Sequence, residues 1–372
     1  MFDGERIVDP PVVLVDNGVI VDVGVSGPAD AATVEFTDGT LLPGLIDCHQ
    51  HLCFDGDGTL EEQVGDIDDD GLLVRARESA RLAMHGGVTT LRDLGDRGFV
   101  TLALRDDPML PTILAAGPPI TVEGGHCWFL GGECAGDGEL LRAVSVRAER
   151  GCDVVKIMVS GGFLTPTVPM WRSQFTLEQL RLVVASAHRH GRPVAAHCHG
   201  NEAIEHAIDA GVDTIEHCTF FTSRERCEPP AGLIDRLAAS QIVISATVGR
   251  LAHVPLPPVP AANQDALRDS RQRLHERGAT LVAGTDAGID KAKPHDVLPH
   301  AMDEFVASGM TPIDALRALT TVAARALSLE RQKGRLARGF DADMVVVAGD
   351  PLHEPAALTS TIAVWRAGVR IV

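Results

Sequence analysis

A handful of short segments in this sequence bring imidazole, carboxylate and amine groups to positions from which they could share one chemical task. Asp47-Cys48-His49-Gln50-His51 ends an apolar run. Histidines at i and i+2 on a strand point to the same side, so both imidazoles can reach one ion. Lys156 stands within Val154-Val155-Lys156-Ile157-Met158, where an unpartnered ammonium is costly and burial favours the neutral amine. A neutral amine can take up carbon dioxide as a carbamate and present two oxygens to two metals. A lysine paired with a buried carboxylate fits the same run. His197-Cys198-His199 repeats the i, i+2 spacing, Glu216-His217 closes a further run, and Gly284-Thr285-Asp286 another. Imidazole and carboxylate suit zinc, manganese and similar divalent ions.

These groups need elements to hold them. Short apolar runs at 41–47, 88–94, 112–117, 153–159, 193–198, 212–217, 241–247 and 280–286 alternate with amphipathic stretches at 71–85, 138–150, 176–190, 201–210, 264–277 and 311–327. Thr176 and Gln179 mark a helix start, and Gly191 followed by Pro193 its end. Strands alternating with helices predict a parallel sheet, and eight of them an α/β fold of the (β/α)8 TIM-barrel type, whose chemistry gathers at the C-terminal strand ends. Five histidines, Lys156 and Asp286 all fall at such ends, on five of the eight strands, which packing alone does not explain.

The chain's two ends read differently. Residues 11–24 are two β-branched runs around Asn17-Gly18, a hairpin signal. Residues 343–348 and 362–371 are again β-rich, the second turning near Ala367-Gly368. Together they predict a small β-sandwich domain made from both termini, residues 1–40 plus 337–372, beside a barrel spanning 41–336.

Composition narrows the function. The 372 residues carry 33 Lys+Arg against 51 Asp+Glu, a formal charge of −18, which disfavours nucleic acid and anionic membrane as partners. Hydrophobic residues at 45% and charged residues at 23% are globular values. No apolar run approaches the roughly 20 residues of a membrane span. The opening MFDGERIVDP is acidic, unlike a signal peptide, so a cytoplasmic location is expected. Eight cysteines without a CxxC read as reduced, mostly buried thiols, and Cys198 is expected to face outward toward the helices. A chain of this size folds without a staple, so a bound metal would serve chemistry.

The segments LLPGLIDCHQHL, GVTTLRDLG, DVVKIMVSGG, PVAAHCHG, GVDTIEH and LVAGTDAG together resemble the metal-dependent amidohydrolase superfamily over nearly the whole chain. The lysine in the fourth strand resembles the binuclear, carboxylated-lysine branch with Xaa-Pro dipeptidases and ochratoxin-hydrolysing amidases. The resemblance implies that His49, His51 and Asp286 hold one divalent metal and His197 and His217 a second. Lys156, as its carbon dioxide adduct, would bridge them. Zinc is the expected ion, with manganese, cobalt and iron as alternatives. A hydroxide bridging the metals would cleave a carbon–nitrogen amide bond of a dipeptide or N-acyl amino acid. Asp286 would carry the proton to the departing nitrogen, and His199 would hold the substrate carbonyl or oxyanion.

Other candidates are less specific. His126, in a Gly-Gly-His loop, could face substrate; Arg250 could bind a substrate carboxylate. Arg92-Asp93 reads as a barrel ion pair, Ser160-Gly161-Gly162 as a turn or a backbone cradle, and 254–260 (VPLPPVP) as a rigid loop. Imidazolone-type ring opening, deamination and ester or lactone cleavage would use the same site. Deaminases of the superfamily usually work with one metal and need no such lysine. A scaffold that had lost its chemistry would lack ligands that are all present here. The expected partner is a small amide or peptide, with a homo-oligomer as the assembly.

Overall fold

The structure, a computed structural model, describes residues 1–24, 27–28, 31–65, 67–163, 165 and 168–372. Positions 25, 26, 29 and 30 of the expected terminal domain lie outside it. Eight parallel strands run Leu45–Gln50, Val88–Asp93, Thr112–Ala115, Val155–Met158, Val194–Gly200, Thr214–Phe221, Val243–Thr247 and Leu281–Gly284. The first three pair in order, as do the last five. Two seams join these groups into a closed barrel. Between third and fourth strands, Ile120 N–H donates to the Lys156 carbonyl at 2.8 Å and Met158 N–H to that of Ile120 at 2.8 Å. Between eighth and first, Asp286 N–H donates to the His49 carbonyl at 2.7 Å and His51 N–H to that of Ala287 at 3.1 Å.

Helices follow the strands. Among them are Asp69–His85, Asp137–Glu149, Leu177–Arg189, Asn201–Ala210 and Gln264–Glu276. Thr176 caps the third of these in a capping box with Gln179, as its sequence predicts. The stretch expected to be one helix over 311–327 is two, Pro312–Ala318 and Thr321–Ala326. Between them Thr320 leaves helical geometry while its hydroxyl donates to the Leu316 carbonyl at 2.6 Å.

The apolar run at 41–47 also divides. Gly39–Pro43 is a strand of the terminal sheet and Leu45–Gln50 the first barrel strand. Gly44 lies between them, where a Cβ would meet the Thr89 hydroxyl at 2.1 Å. The terminal sheet is antiparallel, in the order Val369–Arg370, Thr361–Arg366, Met344–Ala348, Gly39–Pro43. The predicted hairpin is present as Val13–Asp16 and Val19–Val23, with Asn17 at φ 49° and Gly18 at φ 82°. Ile20 N–H donates to the Phe340 carbonyl at 2.8 Å, and Ile20, Leu336, Ala342 and Met344 form a small core that ties both ends together.

The eighth-to-first seam also contains a wholly buried carboxylate. Asp47 accepts from the Thr285 hydroxyl at 2.7 Å, the Thr285 N–H at 3.0 Å, the Gln50 amide at 2.8 Å and the His49 N–H at 3.1 Å. Burial raises its carboxyl to about 6 against those hydrogen bonds. Thr285→Val removes one donor from this buried acceptor, and urea denaturation is expected to show a loss of about 1–3 kcal/mol. An unchanged midpoint would mean that the hydroxyl does not help hold the seam.

Candidate metal centre

The barrel's C-terminal ends bring the predicted donors into two groups. His49 and His51 from the first strand meet Asp286 just beyond the eighth; His197 and His199 from the fifth meet His217 from the sixth. Within each group, one donor atom per residue lies within 4.8 Å of the others. The His49 and His217 ring centroids are 5.1 Å apart, so the groups adjoin. Lys156 is 1% exposed, and among the described residues it makes no ion pair.

The outward ring nitrogens decide which atoms face inward. His49 Nδ1 donates to Glu216 Oε2 at 2.9 Å and His51 Nδ1 to the Gly95 carbonyl at 3.2 Å. In the neutral form of each ring Nε2 is then left with a lone pair. The two Nε2 atoms stand 3.2 Å apart, and Asp286 Oδ1 lies 3.4 and 3.3 Å from them. Three electron-rich atoms converging this closely repel one another unless a cation lies among them. The Nδ1 atoms of His199 and His217 are bonded to the hydroxyls of Thr219 at 2.8 Å and Thr247 at 3.1 Å, which can donate or accept, so either ring nitrogen can carry the proton. His197 is reversed: its Nε2 donates to the Gly161 carbonyl at 3.1 Å, which leaves Nδ1 as the donor atom.

Protonation favours the same occupant. Burial is the main cause holding the His49 imidazole down at about 4 and the His199 imidazole at about 3, and it holds His197 and His217 well below their ordinary value. Burial alone would raise the Asp286 carboxyl, but the neighbouring His49 and His51 rings hold it well below the usual range. Neutral imidazoles with an ionised carboxylate are the state a divalent metal requires. Burial likewise lowers the Lys156 amine, more than Glu216 and Asp286 raise it.

Glu216 is the residue whose role the sequence did not reveal. Fully buried, it accepts from His49, from Arg92 Nη2 at 2.9 Å and from the Thr214 hydroxyl at 2.6 Å. Burial opposes its ionisation, but Arg92 and His49 hold it below the carboxylate range. Arg92 thus pairs across the barrel with Glu216. Asp93, its neighbour in sequence, points to the opposite side of the strand and accepts from the Leu52 and Gly95 N–H groups at 2.8 and 3.1 Å.

His126 joins the centre. It is buried, its ring 4.6 Å from that of His197 and its Nδ1 bonded to the Thr165 hydroxyl at 3.1 Å. Gly162 makes room for it, since a Cβ there would lie 2.4 Å from the imidazole. Ser160-Gly161-Gly162 therefore supports histidines: the Ser160 hydroxyl accepts from the His199 N–H at 2.9 Å, and Gly161 receives His197. Arg250 is half-buried, and its guanidinium bonds the Val254 carbonyl. Cys198 packs in the hydrophobic core, and all eight cysteines are free and buried. The proline-rich loop contains a short helix, Pro258–Ala262.

The family described as "Amidohydrolase family" matches residues 40–371. The chain belongs to that family. This amidohydrolase is 28% identical to ochratoxinase from Aspergillus niger over 98% of the chain and 83% of that protein. It is 26% identical to imidazolonepropionase from Deinococcus deserti over 98% of the chain and 92% of that protein. The crystal structure of a Xaa-Pro dipeptidase with bound methionine in its active site superposes with a TM-score of 0.83 at 26% identity, covering 96% of this chain and 94% of that one. Metal-dependent hydrolysis of carbon–nitrogen amide bonds is the chemistry that this amidohydrolase shares with such relatives. Among the described residues no helix is long and apolar enough to cross a membrane.

Partners behind the ligands of such sites typically change metal affinity about 10–100-fold. Glu216→Gln is expected to weaken metal retention by that factor in a chelator competition. Melting should be followed in parallel, because Arg92 loses its counter-charge. Wild-type retention in a folded variant would remove Glu216 from the site.

Proposed function

We propose that this amidohydrolase is a binuclear enzyme that cleaves an acyclic amide of the dipeptide or N-acyl amino acid type. The observation that carries this reading is Lys156, a buried amine without an ion-pair partner among the described residues, beside two three-donor groups. A neutral amine there is suited to become a carbamate through carbon dioxide. His49, His51 and Asp286 would hold one divalent ion and His197 and His217 the other, with zinc expected and Lys156 serving both. When bound, such ions supply an acidified water and polarise a carbonyl oxygen. Asp286 is positioned to accept a proton and pass it to the departing nitrogen. His199, its Nδ1 able to accept from the Thr219 hydroxyl, can carry its proton on Nε2, and that N–H suits a hydrogen bond to the substrate carbonyl or oxyanion. His126 and Arg250 are the proposed substrate contacts. The reading includes a small β-sandwich unit from 1–40 and 337–372 beside the 41–336 barrel; the sheet that both ends share supports such a unit and carries its first boundary on to Pro43.

A second reading, opening of a cyclic amide, is favoured by the similarity to imidazolonepropionase. One experiment separates them. Zinc- and bicarbonate-treated protein is incubated with pooled dipeptides, N-acyl amino acids, cyclic amides, lactones and aminated heterocycles, and the pool is followed by mass spectrometry. Substrate loss with two fragments is expected; a single product heavier by one water would overturn the acyclic assignment. Lys156→Ala is expected to lose one metal equivalent and most turnover, and full retention of both would exclude the carbamate.

A further inference from the structure

The chain has four lysines, and two are accounted for by ion pairs. Lys291 meets Asp57 at 2.7 Å, and Lys333 meets Asp341 and Asp343 at 2.7 Å each. Lys156 belongs to the centre described above. Lys293 is left, half-buried, with no carboxylate within 4 Å among the described residues.

Its place is well defined. Lys293 Nζ donates to the Thr285 carbonyl at 2.6 Å and to the Thr247 carbonyl at 3.3 Å, bridging the ends of the eighth and seventh strands. Thr285 directly precedes Asp286, and the Thr247 hydroxyl bonds His217. The ammonium is close enough to lower both the Asp286 carboxyl and the His217 imidazole, although other groups weigh more at each. The loop that carries it is tied down, with Gly288 N–H donating to the Lys293 carbonyl at 2.8 Å and Leu251 N–H to that of Ala292 at 2.8 Å. An ammonium has three N–H donors, and the two carbonyls take two of them. The third has no partner among the described residues.

We propose that Lys293 selects substrates whose departing amine carries a carboxylate. The inference rests on the hydrolase reading, in which Asp286 serves the leaving nitrogen. In an amino-acid leaving group the carboxylate lies one carbon from that nitrogen, so it arrives on the Asp286 side of the site. There it would face the Asp286 charge, and like charges in a buried setting disfavour each other unless a cation stands between or beside them. Lys293 is that cation, held beforehand by two carbonyls and with a donor to spare.

The test uses a panel of N-acetyl amino acids and the matching N-acetyl amino alcohols, in which CH2OH replaces the carboxylate. Metal-loaded wild-type protein is expected to favour the acids in kcat/KM by about tenfold or more, the scale of one charged hydrogen bond. Lys293→Met should bring that ratio to near one and Lys293→Arg should keep it. Calorimetric binding of the free amino acid product should weaken by a similar factor in Lys293→Met alone. The ratio between paired substrates cancels general damage from loosened strand ends. A ratio preserved in Lys293→Met while both rates fall would overturn the proposal and make Lys293 only a positioning residue. Equal wild-type rates on both series would also overturn it while leaving the hydrolase reading intact. Cleavage of neither series would overturn both.

Discussion

Glu216 sits at 0% exposure inside the barrel, and its two oxygens are divided among three strands. One oxygen receives the Arg92 guanidinium and the Thr214 hydroxyl, the other the Nδ1–H of His49. A carboxylate removed from water survives as an anion only if charge and hydrogen bonds replace its hydration. That requirement fixes much else. Arg92 has to reach inward from the second strand, where its Nε also donates to the Cys48 carbonyl at 2.8 Å. His49 has to carry its proton on the outer nitrogen, so its lone pair faces the centre. The tautomer of His49, a candidate metal donor, is thus set by a charge pair one layer beneath it.

The backbone at the site carries the cost of this arrangement. His217, Cys218, Phe220 and Asp286 all have left-handed φ, between 53° and 69°, without being glycine. Such conformations cost of order 1–3 kcal/mol each and persist only where the surroundings over-determine them. Here they sit where the sixth and eighth strands end, with Asp286 N–H held by His49 and the His217 ring by Thr247. Two of these residues, His217 and Asp286, belong to the donor groups, while Cys218 and Phe220 pack in the core.

Much of this was legible in the sequence, for physical reasons that differ between elements. Barrel strands announce themselves as short β-branched runs, and the helix over 177–189 by its cap. Histidines at i and i+2 specify a shared side because a strand's period is two. The division at Gly44 was not legible, since an apolar run looks continuous until one knows that Thr89 occupies the space of a side chain. Nor were the ring orientations, which depend on Thr165, Thr219 and Thr247, hydroxyls dispersed along the chain with no spacing that marks them. Arg92 illustrates the same limit: its neighbour in sequence is an aspartate, yet its partner lies four strands away, a pairing only the closed barrel creates.

Gly39–Pro43 pairs with Met344–Ala348, so about 300 residues separate two strands that are neighbours in space. During synthesis the first of these waits, without this partner, until about 300 further residues have emerged. Its hydrogen-bonding edge and the apolar side chains of Leu41 and Leu42 stay available to other chains throughout. The pairing is therefore also a timer: it makes the emergence of Met344–Ala348 the condition for covering the edge of Gly39–Pro43.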